Sequence, residues 1–126
     1  MFKALTAATL LLLSLSAGAA PDRRVTLTTG VLYAPVLSPG AYLLCHAVNV
    51  SDTPLTATIE LLNAAGAPIA SNVGAVAAPG EVISTSANTH IAGYCRFSFQ
   101  GAASSVRASI CNVQNNSNCV STLEAR

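Results

Sequence analysis

An all-β fold of two packed antiparallel sheets is the architecture this sequence predicts, and three observations predict it. Short stretches alternating apolar and polar residues recur along most of the chain, which is the period of a half-buried strand. Turn signals rich in Pro, Gly, Asn and Asp separate them at roughly the 8–12-residue spacing of sandwiches and barrels. Beyond the first twenty residues no window of ten or more shows helical periodicity. Seven to eight strands are expected, in one domain.

The clearest strand is Gly93-Tyr94-Cys95-Arg96-Phe97-Ser98-Phe99-Gln100. Cys95, Phe97 and Phe99 share one face; Tyr94, Arg96 and Ser98 share the other. The first face holds two of the three phenylalanines and must look into the core. This is the strand against which the others are expected to pack.

The chain opens on what reads as an export signal over residues 1–19. Lys3 supplies a thin positive region, Ala7 to Leu15 are apolar apart from Thr9 and Ser14, and Ala17-Gly18-Ala19 fits a small-residue cleavage site. The apolar run falls short of the roughly 20 residues of a membrane span, so no stable span is expected after cleavage. No cysteine lies near the cut to accept a lipid. Residues 20–126 then form the single mature domain. That domain carries five arginines (Arg23, Arg24, Arg96, Arg107, Arg126), no lysine and five acids (Asp22, Asp52, Glu60, Glu81, Glu124). A neutral, charge-poor surface argues against nucleic acid or an anionic membrane as partner, because both need a basic patch.

Along the mature chain, Pro21 to Arg24 reads as a frayed lead-in. Val25 to Tyr33 reads as a strand broken at Gly30, where a bulge or a switch of sheet is expected. Pro35 and Pro39-Gly40 end it, the latter pair suited to a type II turn. Ala41 to Val50 is apolar on both faces. With Cys45 inward, Leu43 and Ala47 join it, while Tyr42, Leu44, His46 and Val48 form an outer stripe. Asn49 to Pro54 is a turn signal. Leu55 to Leu62 puts Leu55, Ala57, Ile59 and Leu61 inward and Thr56, Thr58 and Glu60 outward. Ala67 to Val76 is weak, and Pro68 marks it as an edge. Pro79-Gly80 turns into Glu81 to Ala87. After Gly101-Ala102, Ser104 to Val113 points Val106, Ala108 and Ile110 inward and Arg107, Ser109 and Cys111 outward. A polar turn at 114–118 leads to a last short strand, Cys119 to Leu123.

Four cysteines in an exported domain imply two disulfides, with three possible connectivities. Cys45 and Cys95 lie on core faces of two main strands, where a sandwich carries a bridge between sheets. Cys111 and Cys119 flank a seven-residue polar turn, which suits a local clip. The pairs Cys45–Cys95 and Cys111–Cys119 are therefore expected.

The runs Leu44-Cys45-His46-Ala47-Val48-Asn49-Val50-Ser51, Thr58-Ile59-Glu60-Leu61 with Gly66, Pro79-Gly80-Glu81, Tyr94-Cys95-Arg96-Phe97 and Val106-Arg107-Ala108-Ser109-Ile110 resemble a group of short exported bacterial proteins of unknown function. The resemblance spans most of the mature chain. It implies an immunoglobulin/fibronectin-like sandwich and an export route. It implies no activity, ligand or catalytic residue.

Arg96 and Arg107 give the sharpest geometric expectation. With Gly101-Ala102 as a two-residue hairpin turn, Phe97 opposes Val106, Cys95 opposes Ala108, and Arg96 opposes Arg107 on the outer face. Like charges directly opposite are unfavourable, so Glu60, on the bordering strand, is expected to compensate them. The trio is then a cross-strand charge ladder, or a clamp for a partner's carboxylate built on planar guanidinium. Glu60, Tyr94, Arg96 and Arg107 are the candidate partner-binding residues, and the partner is expected to be a protein or envelope component.

A second reading makes the chain a small exported metal-handling protein, with His46, His90 and reduced Cys45 and Cys95 as ligands. Their spacing matches no ligand motif, and export favours disulfides, so no metal or other cofactor is assigned. Catalysis has little support: Gly-x-Ser-x-Gly, His-Glu-x-x-His, Cys-x-x-Cys and a phosphate loop are all missing from the sequence. The sequence thus predicts a secreted or periplasmic, non-catalytic binding or structural accessory module. Two sequons, Asn49-Val50-Ser51 and Asn115-Asn116-Ser117, match the glycosylation pattern but mean little if the chain is bacterial.

Overall fold

The computed structural model describes residues 23–33, 40–88, 92–114 and 118–126. The export signal, Pro35, Pro39, His90 and the sequon at Asn115 lie outside them. Nine strands follow one another: β1 (Arg24–Thr28), β2 (Leu32–Tyr33), β3 (Tyr42–Asn49), β4 (Leu55–Asn63), β5 (Pro68–Ala77), β6 (Val82–Ala87), β7 (Ala92–Gln100), β8 (Val106–Gln114) and β9 (Asn118–Glu124). They form two antiparallel sheets. The first has the order β1-β7-β4-β5, with β2 also on β7; the second has the order β6-β3-β8-β9. The only helical element among the described residues is a 3-10 turn, Ala103–Ser105. No helix among them is long and apolar enough to cross a membrane.

The alternation seen in the sequence sets which face is dry. Leu43, Cys45 and Ala47 of β3, Ile59 and Leu61 of β4, Cys95, Phe97 and Phe99 of β7, and Val106 and Ile110 of β8 meet between the sheets. Burial of a side chain such as Phe97 contributes about 2–3 kcal/mol. Cys45 and Cys95 join the two sheets through this core, and Cys111 joins Cys119 across β8 and β9; both pairs have Cα atoms 5.7 Å apart. Neither connectivity departs from expectation.

Two features of the β1 region follow from its sequence. Thr28 opposes Arg96 while Leu32 opposes Gly93, so the segment gains one residue on β7 between them. The break at Gly30 is thus a bulge, and the chain stays on one sheet. Thr29 repairs the ladder there, because its Oγ1 accepts the Cys95 amide at 2.9 Å in place of a backbone carbonyl.

The expected hairpin of β7 and β8 does not form. One side of β7 is taken by β1 and β2, the other by β4, so no edge is left for β8. The chain instead crosses to the second sheet. Gly101, at φ +136°, starts the crossing, the 3-10 turn lifts the backbone, and the Ser105 carbonyl accepts the Val50 amide at 3.0 Å. There β8 pairs with β3, Val48 opposing Arg107 and Cys45 opposing Ile110.

Asn49 looks like part of a polar turn in the sequence, but it is 1% exposed. Its Nδ2 donates to the carbonyls of Thr53 (2.8 Å) and Ala77 (2.9 Å). Its Oδ1 accepts from the Ser51 amide and from Ser51 Oγ. A side chain satisfied at every position can stay buried without a desolvation penalty. It pins the β3–β4 connection to the end of β5.

Candidate functional site

Sheet pairing, rather than chain order, assembles the outer face of the first sheet. Thr28, Arg96, Glu60 and Ser71 lie in one row across β1, β7, β4 and β5. Arg96 Nε donates to Glu60 Oε2 at 2.7 Å, the single ion pair among the described residues. The bond uses the inner nitrogen of the guanidinium, and the Arg96 side chain remains 40% exposed. The Arg96 hydrogen bond, aided by the charges of Arg96 and Arg24, holds the Glu60 carboxyl below the usual carboxylate range. Glu60 in turn raises the affinity of Arg96 for its proton.

One row further along, Tyr94 opposes Leu62. Tyr94 is half-buried, and its hydroxyl reaches over the β4–β5 turn at Gly66. Leu62 is fully buried although it lies on the outer face. In the opposite direction lies a shallow groove of about 430 Å³ whose lining includes Arg24, Thr56, Thr58, Ser98 and Gln100. Three of the four nominated residues, Glu60, Tyr94 and Arg96, therefore share one face, and β1, read from its sequence as a frayed lead-in at this point, adds Arg24.

Arg107 does not join them. It sits on the second sheet, opposite Val48, and is exposed. The three-member charge ladder is thus reduced to the pair Glu60–Arg96. The reason is the crossover after Gly101, which carries β8 away from β7.

The outer face of the second sheet has a different chemistry. Tyr42, Leu44, His46 and Val48 are half-buried there. Cys111 and Val113 of β8 face the same way and are buried. His46 Nε2 lies 2.9 Å from Ser109 Oγ on the neighbouring strand. Burial pushes the His46 pKa down, so the ring is neutral at neutral pH. All four cysteines are in disulfides, which leaves no thiolate for a metal. No group of three or more His, Cys, Asp or Glu side chains converges among the described residues.

The sequence matches no protein-family profile and no curated protein. Among solved structures, the crystal structure of Thermotoga maritima 1070 superposes on this chain with a TM-score of 0.53. The match covers 80% of this chain and 91% of that one, at 11% sequence identity. At that identity the likeness concerns the fold alone.

Proposed function

We propose that this chain is a secreted or periplasmic, non-catalytic module that binds a protein or envelope component or braces an assembly. Two disulfides support the compartment, since such bridges persist in oxidising, extracytoplasmic surroundings. The contact surface in this reading is the outer face of the first sheet around Glu60, Tyr94 and Arg96. The observation that carries it is the orientation of Arg96. Glu60 engages Nε and fixes the plane of the guanidinium, while the outer part of the group stays at the surface. A guanidinium held in this way is set to donate end-on, through its two outer Nη groups, to a carboxylate or carbonyl oxygen.

An immunoglobulin/fibronectin-like relationship forms part of the proposal. The neighbours β4–β7 and β3–β6, and the bridge from β3 to β7, have the places of C–F, B–E and the B–F disulfide in that fold. Here β1 takes the place of the last strand beside β7, and β8 that of the first strand beside β3.

The test is capture from an envelope fraction of the source organism with immobilised protein, comparing wild type with Arg96→Ala and Arg107→Ala. A partner retained by wild type and Arg107→Ala but lost by Arg96→Ala supports the reading. Equal capture by all three removes this face from it.

A further inference from the structure

A different part of the molecule, the free edge of β9, has the features of a binding site for an extended polypeptide. All seven residues of β9 are exposed. The strand pairs with β8 on one side, and the direction of its amides follows from the bonds just beyond it. Ala125 donates to the Ala108 carbonyl on β8 at 2.9 Å, whereas Arg126 exchanges two bonds with Thr28 of β1, at 3.0 and 3.2 Å. Backbone groups alternate along an antiparallel strand. With Leu123 opposing Ile110, Leu123 turns its amide to β8 as Ala125 does. Thr122 and Glu124 turn theirs outward as Arg126 does. Neither of those two amides has a partner among the described residues. At Arg126, β1 acts as the next strand of the sheet; past Thr28 no further backbone bond to β9 is made among the described residues, and the ladder stops there.

Side chains mark the same edge. Val31 (54%), Tyr33 (55%), Val120 (56%) and Leu123 (37%) are exposed apolar residues of β9 and the β1–β2 segment. Leu123 Cδ1 lies 3.2 Å from where a Cβ on Gly30 would sit, so the two arms are in contact at that level. A cleft of about 480 Å³ separates Thr28–Gly30 from Thr122–Glu124. β9 carries one charge, Glu124, and has neither the lysines nor the proline that usually guard an edge.

We propose that this edge takes up one extended, uncharged segment of another protein by strand addition. The segment pairs with the outward groups of Thr122 and Glu124 and lays alternate branched aliphatic side chains against Leu123 and Val31. Main-chain bonds supply affinity in this mode, and the pockets for alternate side chains supply selectivity. A neutral segment fits because the two charged side chains lining the cleft, Glu124 and Arg126, are of opposite sign.

The probe is a capped octapeptide alternating valine and threonine, with the same peptide carrying a central proline as control. Residue-resolved amide exchange of the full mature chain is followed with each. With the first peptide, exchange at Thr122 and Glu124 is expected to slow by about tenfold or more, while amides of β5 stay unchanged; the proline peptide has no effect. Thr122→Pro removes one outward donor and no β8–β9 ladder bond, so it is expected to abolish the protection. Val120→Asp, which leaves the backbone intact, is expected to weaken it, and so covers the case in which the proline variant does not fold. The proposal is overturned if neither amide responds. It is also overturned if protection appears without peptide as protein concentration rises, since the occupant is then a second copy of this chain.

Discussion

Along one flank of the sandwich, β5 and β6 lie side by side, and Asn72 Nδ2 crosses from the first sheet to the Ser84 carbonyl of the second. At the top of that flank Asn49 binds the Ala77 carbonyl, and its own carbonyl accepts the Gly80 amide at 2.7 Å. Along the other flank the sheets touch through the Thr28–Arg126 bonds and the Asn112 Nδ2 bond to the Tyr33 carbonyl. Between those ties the edge of β9 has no strand paired to it among the described residues. The two flanks also differ in their protection. β5 carries Pro68 and a bulge at Gly74 (φ +64°), both of which discourage a further strand. Among the described residues, one edge of the fold is thus blocked and the other is plain.

Loss of the bridge between the two sheets, midway between the flanks, is the harshest test of this contrast. Cys45→Ala/Cys95→Ala opens a loop of separation 50, which costs about 4 kcal/mol in the chain-entropy model. Chemical denaturation is expected to show one cooperative transition at lower midpoint, with both flanks melting together. Separate transitions for β5–β6 and β8–β9 would mean that the flanks are independent.

Asn49→Ala strikes the closed flank. It strands the buried Ala77 carbonyl, at a cost of about 2 kcal/mol, again read from the denaturation midpoint. Amides of β5 and the β5–β6 turn should lose protection first. A neutral result would show that water replaces the side chain and that this flank is not pinned there.

Cys111→Ala/Cys119→Ala addresses the open flank. Its short loop gives about 2.5 kcal/mol in the same model, but the loss should be local: β9 amides exchange faster while those of β5 and β6 are unmoved. Equal loosening of both flanks would contradict the separation drawn here.

The smallest effect belongs to the outer face, away from either flank. The Glu60 pKa is held below its ordinary 4.5, chiefly by the Arg96 hydrogen bond. A depressed carboxyl stabilises the fold at pH above its unfolded value, and that contribution fades as pH falls through the folded value. Glu60→Gln should therefore lower Tm by about a degree at neutral pH and by less in acid, with the difference shrinking in high salt. A larger loss in acid than at neutral pH would reverse the assigned sign.

Much of this architecture was legible residue by residue. The alternation around Ile59 and Phe97 placed two strands and their inner faces, and taking Cys45 as the core partner of Cys95 oriented the strand at 41–50, which is apolar on both faces. The nearness of Glu60 and Arg96 was also legible, because the topology of a sandwich sets the strand at 55–62 beside the central one and alternation puts both residues on the outer face. The crossover after Gly101 was not. Gly101-Ala102 has the composition of a tight hairpin, and what decides against one is that β1 occupies the edge of β7 that β8 would need. That is a contact between the two ends of the chain, with no local trace in composition. Arg107 was misplaced for this reason. Asn49 was misread for another: an amide satisfied on both sides has the same composition as a solvated turn, and its burial depends on carbonyls as distant as Ala77.

Amide exchange of the free protein, resolved along β9, tests most directly whether one flank is open. Leu123 and Ala125, whose amides face β8, should be protected, while Thr122 and Glu124 between and beside them should exchange close to the rate of an unstructured chain. Uniform protection along 121–125 would contradict the account, since it requires something to be paired with the edge described here as bare.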